Sequence, residues 1–124
     1  MSPDSRLILI EANRDFVEYL DQHIHDPRVS VFHDNAINVL SLVNQCGMHT
    51  ADYVILGIPF SLSDHEQNHS ILAHCKKVLK KGGKLLVYQF SPRIKKYLRK
   101  HFDQIHFDFE IMNIPPLFIF EAFH

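Results

Sequence analysis

The chain has 124 residues, 46% of them hydrophobic and 22% charged, which describes one globular domain, residues 1–124, with material for a core. That length excludes a two-domain enzyme, and a net charge of −1 excludes a strongly basic nucleic-acid binder or an acidic tail protein on the global average. The average conceals an asymmetry: residues 1–75 carry three basic side chains against ten acidic, residues 76–100 carry ten basic and no acidic, and residues 101–124 carry four acidic and no Lys or Arg.

Periodicity predicts alternating strands and helices. Residues 6–10 (RLILI) form a short apolar run closed by Glu11, after which Asn13 caps a helix with Phe16, Val17, Leu20 and Ile24 at helical spacing. Residues 29–32 are a second strand, followed by His33, Asp34 and Asn35, and Ile37, Leu40 and Val43 carry a helix to Gly47. Residues 53–58 (YVILGI) read as a strand buried on both faces and stopped by Pro59. Ser63 and Glu66 fit a capping box that opens a helix through Ile71, Leu72, Cys75, Val78 and Leu79, closed by Gly82 and Gly83.

Residues 84–90 form the next strand, and Pro92 opens a helix with Ile94, Tyr97 and Leu98 on one face and Lys95, Lys96, Arg99 and Lys100 on the other. The end changes character: QIHFDFEI alternates, MNIPP turns, and LFIFEAF returns as the second arm of an antiparallel hairpin. The fold expected is α/β, a mostly parallel sheet with helices on both faces and a C-terminal antiparallel hairpin. No repeat, low-complexity tract or linker marks a boundary within it.

Cys46 and Cys75 both fall in helical segments and cannot form a disulfide framework, so the expectation is buried free thiols in a reducing, cytoplasmic compartment. The first residues lack the pattern of a secretory signal, and no apolar run reaches the roughly 18 residues of a membrane span.

In an open parallel sheet, ligands bind beyond the carboxyl ends of the strands. The residues there are Glu11, then His33 to Asn35, then Gly57 to Phe60, then Phe90 and Ser91. An acid directly after a parallel strand can accept bonds from two vicinal ribose hydroxyls, and a second after the neighbouring strand can accept one from an adenine amino group. The alternative for each is a helix cap.

The runs ADYVILGIPFS and VLKKGGKLLVYQFSPR, about twenty helical residues apart, resemble the second half of class I S-adenosylmethionine-dependent methyltransferases. Leu79, Lys80, Gly82, Gly83 and Lys84 match the phrase that introduces the fifth strand there, with Lys81 where proline is usual. Within that superfamily the chain is most similar to bacterial phospholipid N-methyltransferases, which are related to ribosomal RNA adenine dimethylases. LILIEANRDFVEYL, DPRVSVFHDNA, QFSPR and NIPP support this over most of residues 6–124.

The resemblance implies a Rossmann-like sheet and S-adenosylmethionine as cofactor. Glu11 stands where an acid holds the ribose, and Asp34, beside Asn35, where an acid meets the adenine. Gly57, Ile58, Pro59 and Phe60 stand in the turn facing the acceptor amine, the catalytic position. Glycine at 57, where nucleic-acid enzymes often carry Asn or Asp, favours a phosphatidylethanolamine-type headgroup over an RNA adenine. The family's first strand and its glycine-rich turn are missing, since none of the four glycines forms a G-x-G turn between a strand and a helix. In the usual strand order 3-2-1-4-5-7-6 the missing strand is the central one. Its absence leaves the edges of the family's second and fourth strands unpaired unless they pair directly or a second copy or another chain fills the gap, or it makes the domain a non-catalytic partner-binding one.

Two further patterns stand beside these. HEQNH at 65–69 matches the H-E-x-x-H zinc pattern, but Glu66 is accounted for by the cap and no third ligand has the right spacing, so no metal is expected. The basic run from Lys76 to Lys100 reads either as the wet faces of two helices or as a patch for an anionic membrane, with RNA the weaker partner. A peripheral position at the inner membrane face is the corresponding expectation.

Overall fold

The computed structural model describes residues 3–57, 64–89, 94–110 and 117–124. They form two compact units, Met1–His49 and Thr50–His124. The boundary falls just after Gly47, whose φ of 76° ends the preceding helix.

The first unit is a β-α-β-α segment. Strand β1 (Leu7–Glu11) pairs in parallel with β2 (Val29–His33), from Leu7 opposite Val29 to Glu11 opposite His33. Helix α1 (Arg14–His23) joins them, with the Asn13 side chain accepting from Phe16 N as its cap. Its turn back into β2 is held by Asp26, whose carboxylate takes Arg28 N at 2.9 Å and the Arg28 guanidinium at 2.5 Å. Only Val17 of α1 is buried, whereas Phe16, placed on the apolar face by its spacing, is 50% exposed. Phe16 instead stacks on Tyr19, and Tyr19 on His23, along the outer face. After β2 a 3-10 turn (Ala36–Asn38) leads into α2 (Val39–Gln45), which buries Val39, Leu42 and Val43.

The second unit is a four-stranded mixed sheet in the order β3-β4-β6-β5 with two helices. Strand β3 (Ala51–Leu56) is followed by α3 (His65–Val78), β4 (Leu79–Gln89), α4 (Lys95–His101), β5 (Gln104–Glu110) and β6 (Leu117–Phe123). Strands β3 and β4 are parallel, while β6 runs antiparallel to both β4 and β5, which is the expected hairpin. One sheet face holds the core. Leu56, Leu85, Val87, Phe120 and Ala122 lie on it, and α3 and α4 add Ile71, Leu72, Cys75, Val78, Ile94, Tyr97 and Leu98. Burial pushes the Cys75 thiol up to about 12, and both it and the half-buried Cys46 are free.

Three expectations need correction. Strand β3 is not buried on both faces: Tyr53 and Ile55 are 66% and 64% exposed, because the described helices of this unit cover only the opposite face. Helix α3 is capped by Asp64, whose carboxylate accepts from Glu66 N, while Ser63 lies outside the described residues. And α3 stops at Val78, so the glycines belong to the following strand rather than to the helix end.

That strand starts with a bulge. Ala51 pairs with Leu79 and Tyr53 with Lys84, so between these pairs one residue of β3, Asp52, stands against four of β4. Gly82 has φ 80° within the bulge, and its N–H donates to the His124 carbonyl while the Gly83 carbonyl accepts from His124 N. A Cβ on Gly83 would sit 2.9 Å from Lys80 O, 3.1 Å from Asp52 O and 3.1 Å from Leu79 Cδ2. The Lys80–Asp52 ion pair spans the same place. Gly83→Ala is therefore expected to destabilise the chain by about 1–3 kcal/mol in urea unfolding, since two of the three atoms met are backbone.

Candidate functional site

The carboxyl ends of β1 and β2 bring the first two candidate acids together. Glu11 ends β1 opposite His33 at the end of β2, and Asp34 N donates to Glu11 O at 3.1 Å. His33 Nε2 lies 3.0 Å from the Ala12 carbonyl oxygen, tying the two loops a second time. Parallel pairing causes this: both chains leave the sheet at the same edge, so residues 23 apart in sequence become neighbours.

Each acid is partly used by its own loop. Glu11 Oε1 accepts from Asn13 N at 2.9 Å, which leaves Oε2 without a partner among the described residues. Asp34 Oδ1 accepts from the Asn38 amide at 2.6 Å and from Asn35 N at 2.7 Å. The Asn38 amide first, and the Asn35 N–H second, hold the Asp34 carboxyl below the usual range, so it is ionised at neutral pH. Asn35 spends its side-chain oxygen on Ile37 N as the cap of the 3-10 turn. Loop capping and ligand binding are thus compatible for Glu11 and Asp34, while Asn35 mainly shapes the turn.

Gly57 follows β3 at the carboxyl edge of the second unit and is exposed. Among the described residues nothing lies within 4 Å of a Cβ placed there. Ile58, Pro59 and Phe60 lie outside the described residues.

The basic run does not form one face. Lys76 and Lys77 end α3, Lys80 and Lys81 lie in the bulge of β4, and Lys100 ends α4, all at the edge where β4 begins. Lys95 and Lys96 start α4 beyond the other edge. Two of these charges are partnered: Lys80 by Asp52 and Lys84 by Glu121 at 3.5 Å.

Sequence reading missed what the HEQNH histidines face. Tyr97 and His101, one turn apart on α4, meet His65 and His69 on α3: the Tyr97 hydroxyl is hydrogen-bonded to His65 Nδ1, and His69 Nδ1 lies 3.1 Å from His101 Nε2. The matched spacing of four on both helices was the available signal. Among the described residues no group of three or more His, Cys, Asp or Glu side chains is arranged to hold a metal ion, and no helix is long and apolar enough to cross a membrane.

Comparison with known proteins places this geometry. No model of a known protein family matches the chain. It is 27% identical over 116 residues to an ornithine lipid N-methyltransferase of Singulisphaera acidiphila, a match that covers 92% of the chain and 60% of that protein. The chain thus spans about three fifths of the length of this relative. Among solved structures, precorrin-6y C5,15-methyltransferase from Geobacter metallireducens superposes with a TM-score of 0.69 at 12% identity, covering 98% of the chain and 69% of that structure. The fibrillarin pre-rRNA processing protein of Methanococcus jannaschii gives 0.64 at 14% identity, covering 95% and 56%. SMU.776, described as a methyltransferase complexed with SAH, gives 0.63 at 10% identity, covering 94% and 39%. The Rossmann-like methyltransferase fold that the sequence resemblance implied is borne out.

The Asp34 assignment has a direct check. Asn38→Ala removes the largest cause of the lowered pKa, so the Asp34 carboxyl should titrate closer to its ordinary value in a carbon-detected NMR titration. A lowered carboxylate pKa contributes stability above about pH 4 that is lost as pH falls further, and the variant should narrow that loss.

Proposed function

We propose that this chain forms the core of an S-adenosylmethionine-dependent N-methyltransferase whose acceptor is the amine of a lipid headgroup. The observation that carries the reading is the pair of loops at the carboxyl ends of β1 and β2, where Glu11 and Asp34 are bonded together on a methyltransferase fold. The likeness to an ornithine lipid N-methyltransferase supports an amino-lipid acceptor, a class that includes phosphatidylethanolamine.

The residues present fit the nucleoside half of the cofactor. Glu11 Oε2 is available for ribose hydroxyls, and Asp34, ionised and fixed by two donors, keeps Oδ2 for an amino group. Bound there, the cofactor supplies a methyl group already activated by its sulfonium, so the protein needs little acid-base machinery. The work left to this chain is positioning. Glu11 and Asp34 would anchor the nucleoside, and Gly57, with Ile58, Pro59 and Phe60 after it in the sequence, would serve the acceptor amine.

No described residue supplies a glycine-rich cradle for the methionine part. In this reading, that cradle comes with a strand added to the outer edge of β3, which has one partner, β4, and exposes Tyr53 and Ile55. A second copy or another chain can provide it. Lys95 and Lys96, at the carboxyl edge of the sheet, are the basic residues suited to draw that edge to an anionic membrane.

Calorimetric titration with S-adenosylhomocysteine tests the reading. Binding should weaken about tenfold in Glu11→Ala, the loss expected for bonds to a charged acceptor. Gly57→Ala should unfold within about 0.5 kcal/mol of the parent while slowing transfer of labelled methyl to phosphatidylethanolamine or ornithine lipid. A folded chain, supplied with the completing strand, that neither binds S-adenosylhomocysteine nor labels an amino-lipid would overturn the proposal.

A further inference from the structure

A separate feature lies at the opposite end of the second unit. Helices α3 and α4 both start beyond the carboxyl edge of the parallel strands and run back, so their last turns meet where β4 begins. The end of β6 reaches the same place, where His124 is bonded in both directions to the glycines of the bulge. Between these three ends is a cavity of about 330 Å³ lined by Ala73, Lys76, Lys77, Lys100, His101 and His124.

We propose that this groove binds the phosphate group of a phosphomonoester or phosphodiester. Its lining holds three ammonium groups and two imidazoles and no carboxylate side chain. Among the described residues, Lys77 and Lys100 are in no ion pair, and Lys76 is steadied by the Phe102 ring, 5.7 Å from its centroid, rather than by an acid. Helix dipoles do not account for this charge. Each helix C-terminus carries roughly half a negative charge, so the two together offset about one of the three lysines. The terminal carboxylate of His124 offsets another, so a surplus of about one positive charge remains, beside two imidazoles, in a concave site where low-dielectric walls concentrate the field on a small anion.

The histidines sharpen the reading. Burial, followed by His69, Lys76 and Lys100, holds His101 below its usual range, and burial with Lys81 and Lys76 does the same to His124. The 3.1 Å contact between His69 Nδ1 and His101 Nε2 ties α3 to α4 beside the groove. An anion in the groove relieves the repulsion from Lys76, Lys81 and Lys100 and raises both pKa values. By linkage, it binds more tightly as pH falls below about 6.5.

The groove is far from the candidate methyl-transfer edge. From Gly83 to the level of Gly57 the sheet runs five residues, about 16 Å. The site is therefore independent of the proposed function, and a phosphate bound here is not the headgroup being methylated at that moment.

The test uses the full chain at low ionic strength, where such contacts are least screened. Titrated with inorganic phosphate, the His101 and His124 ring resonances should shift and saturate together. Lys77→Ala combined with Lys100→Ala, both exposed, should weaken this about tenfold with an unchanged circular dichroism spectrum. Sulfate, whose charge is constant over the range, should bind several-fold more tightly at pH 5.5 than at pH 7.5. Lysine-dependent sedimentation with phosphatidylglycerol vesicles, but not phosphatidylcholine, would assign the phosphate to a lipid headgroup. Saturable phosphate binding without vesicle binding would assign it to a soluble ester. Absent saturation, affinity unchanged in the double variant, or binding confined to long RNA with no response to phosphate would each overturn the site.

Discussion

Strand β4 is the element on which the second unit depends. It pairs in parallel with β3 on one side and antiparallel with β6 on the other, and its Leu85 and Val87 are fully buried beneath α3 and α4. A strand in that position satisfies its backbone on both edges while its inward side chains anchor both helices. The bulge at its start sets where the register begins and fastens the chain's last residue, His124, to Gly82 and Gly83. Tight approach at Gly83 and positive φ at Gly82 are what let four residues of β4 stand against one of β3.

The same parallel logic organises the candidate site. Parallel strands discharge their following loops at one edge, and there Glu11 and Asp34 become neighbours through a backbone hydrogen bond. Their loops are self-capped by Asn13, Asn35 and Asn38, so both carboxylates sit on fixed turns before any ligand arrives. Such preorganisation reduces the ordering cost of binding. Strand β1 is only half-buried, and among the described residues it pairs with β2 alone, as β3 does with β4. Open edges of this kind are what a further strand would close.

Among the described residues, the lysines of 76–100 are the clearest case of one sequence signal sent to separate places. Helices α3 and α4 carry the chain back and forth along the sheet, so lysines at helix ends and in the bulge gather at one edge, and those at the start of α4 go to the other. A charge run in the sequence thus becomes a groove and a separate rim. The groove is walled by three elements and combines lysines with two half-buried histidines.

Strands and helices were legible in the sequence because apolar residues repeat at two or at three and four, and that spacing fixes which side chains can share a face. The acids after β1 and β2 were legible for the same reason: in an α/β alternation the residue after a strand lies at the ligand edge. Other features needed the tertiary structure. Phe16 has the right spacing for a core face yet lies outside it, because burial depends on what packs opposite, not on period. Tyr53 and Ile55 read as a buried strand and are exposed, since only one sheet face of the second unit carries described helices. The glycines of LKKGGK read as a helix end and prove to be a strand bulge, because their demand comes from Asp52 and His124, distant in sequence. The meeting of His69 with His101 and the gathering of lysines around His124 likewise join residues from separate elements, a relation that local spacing does not encode.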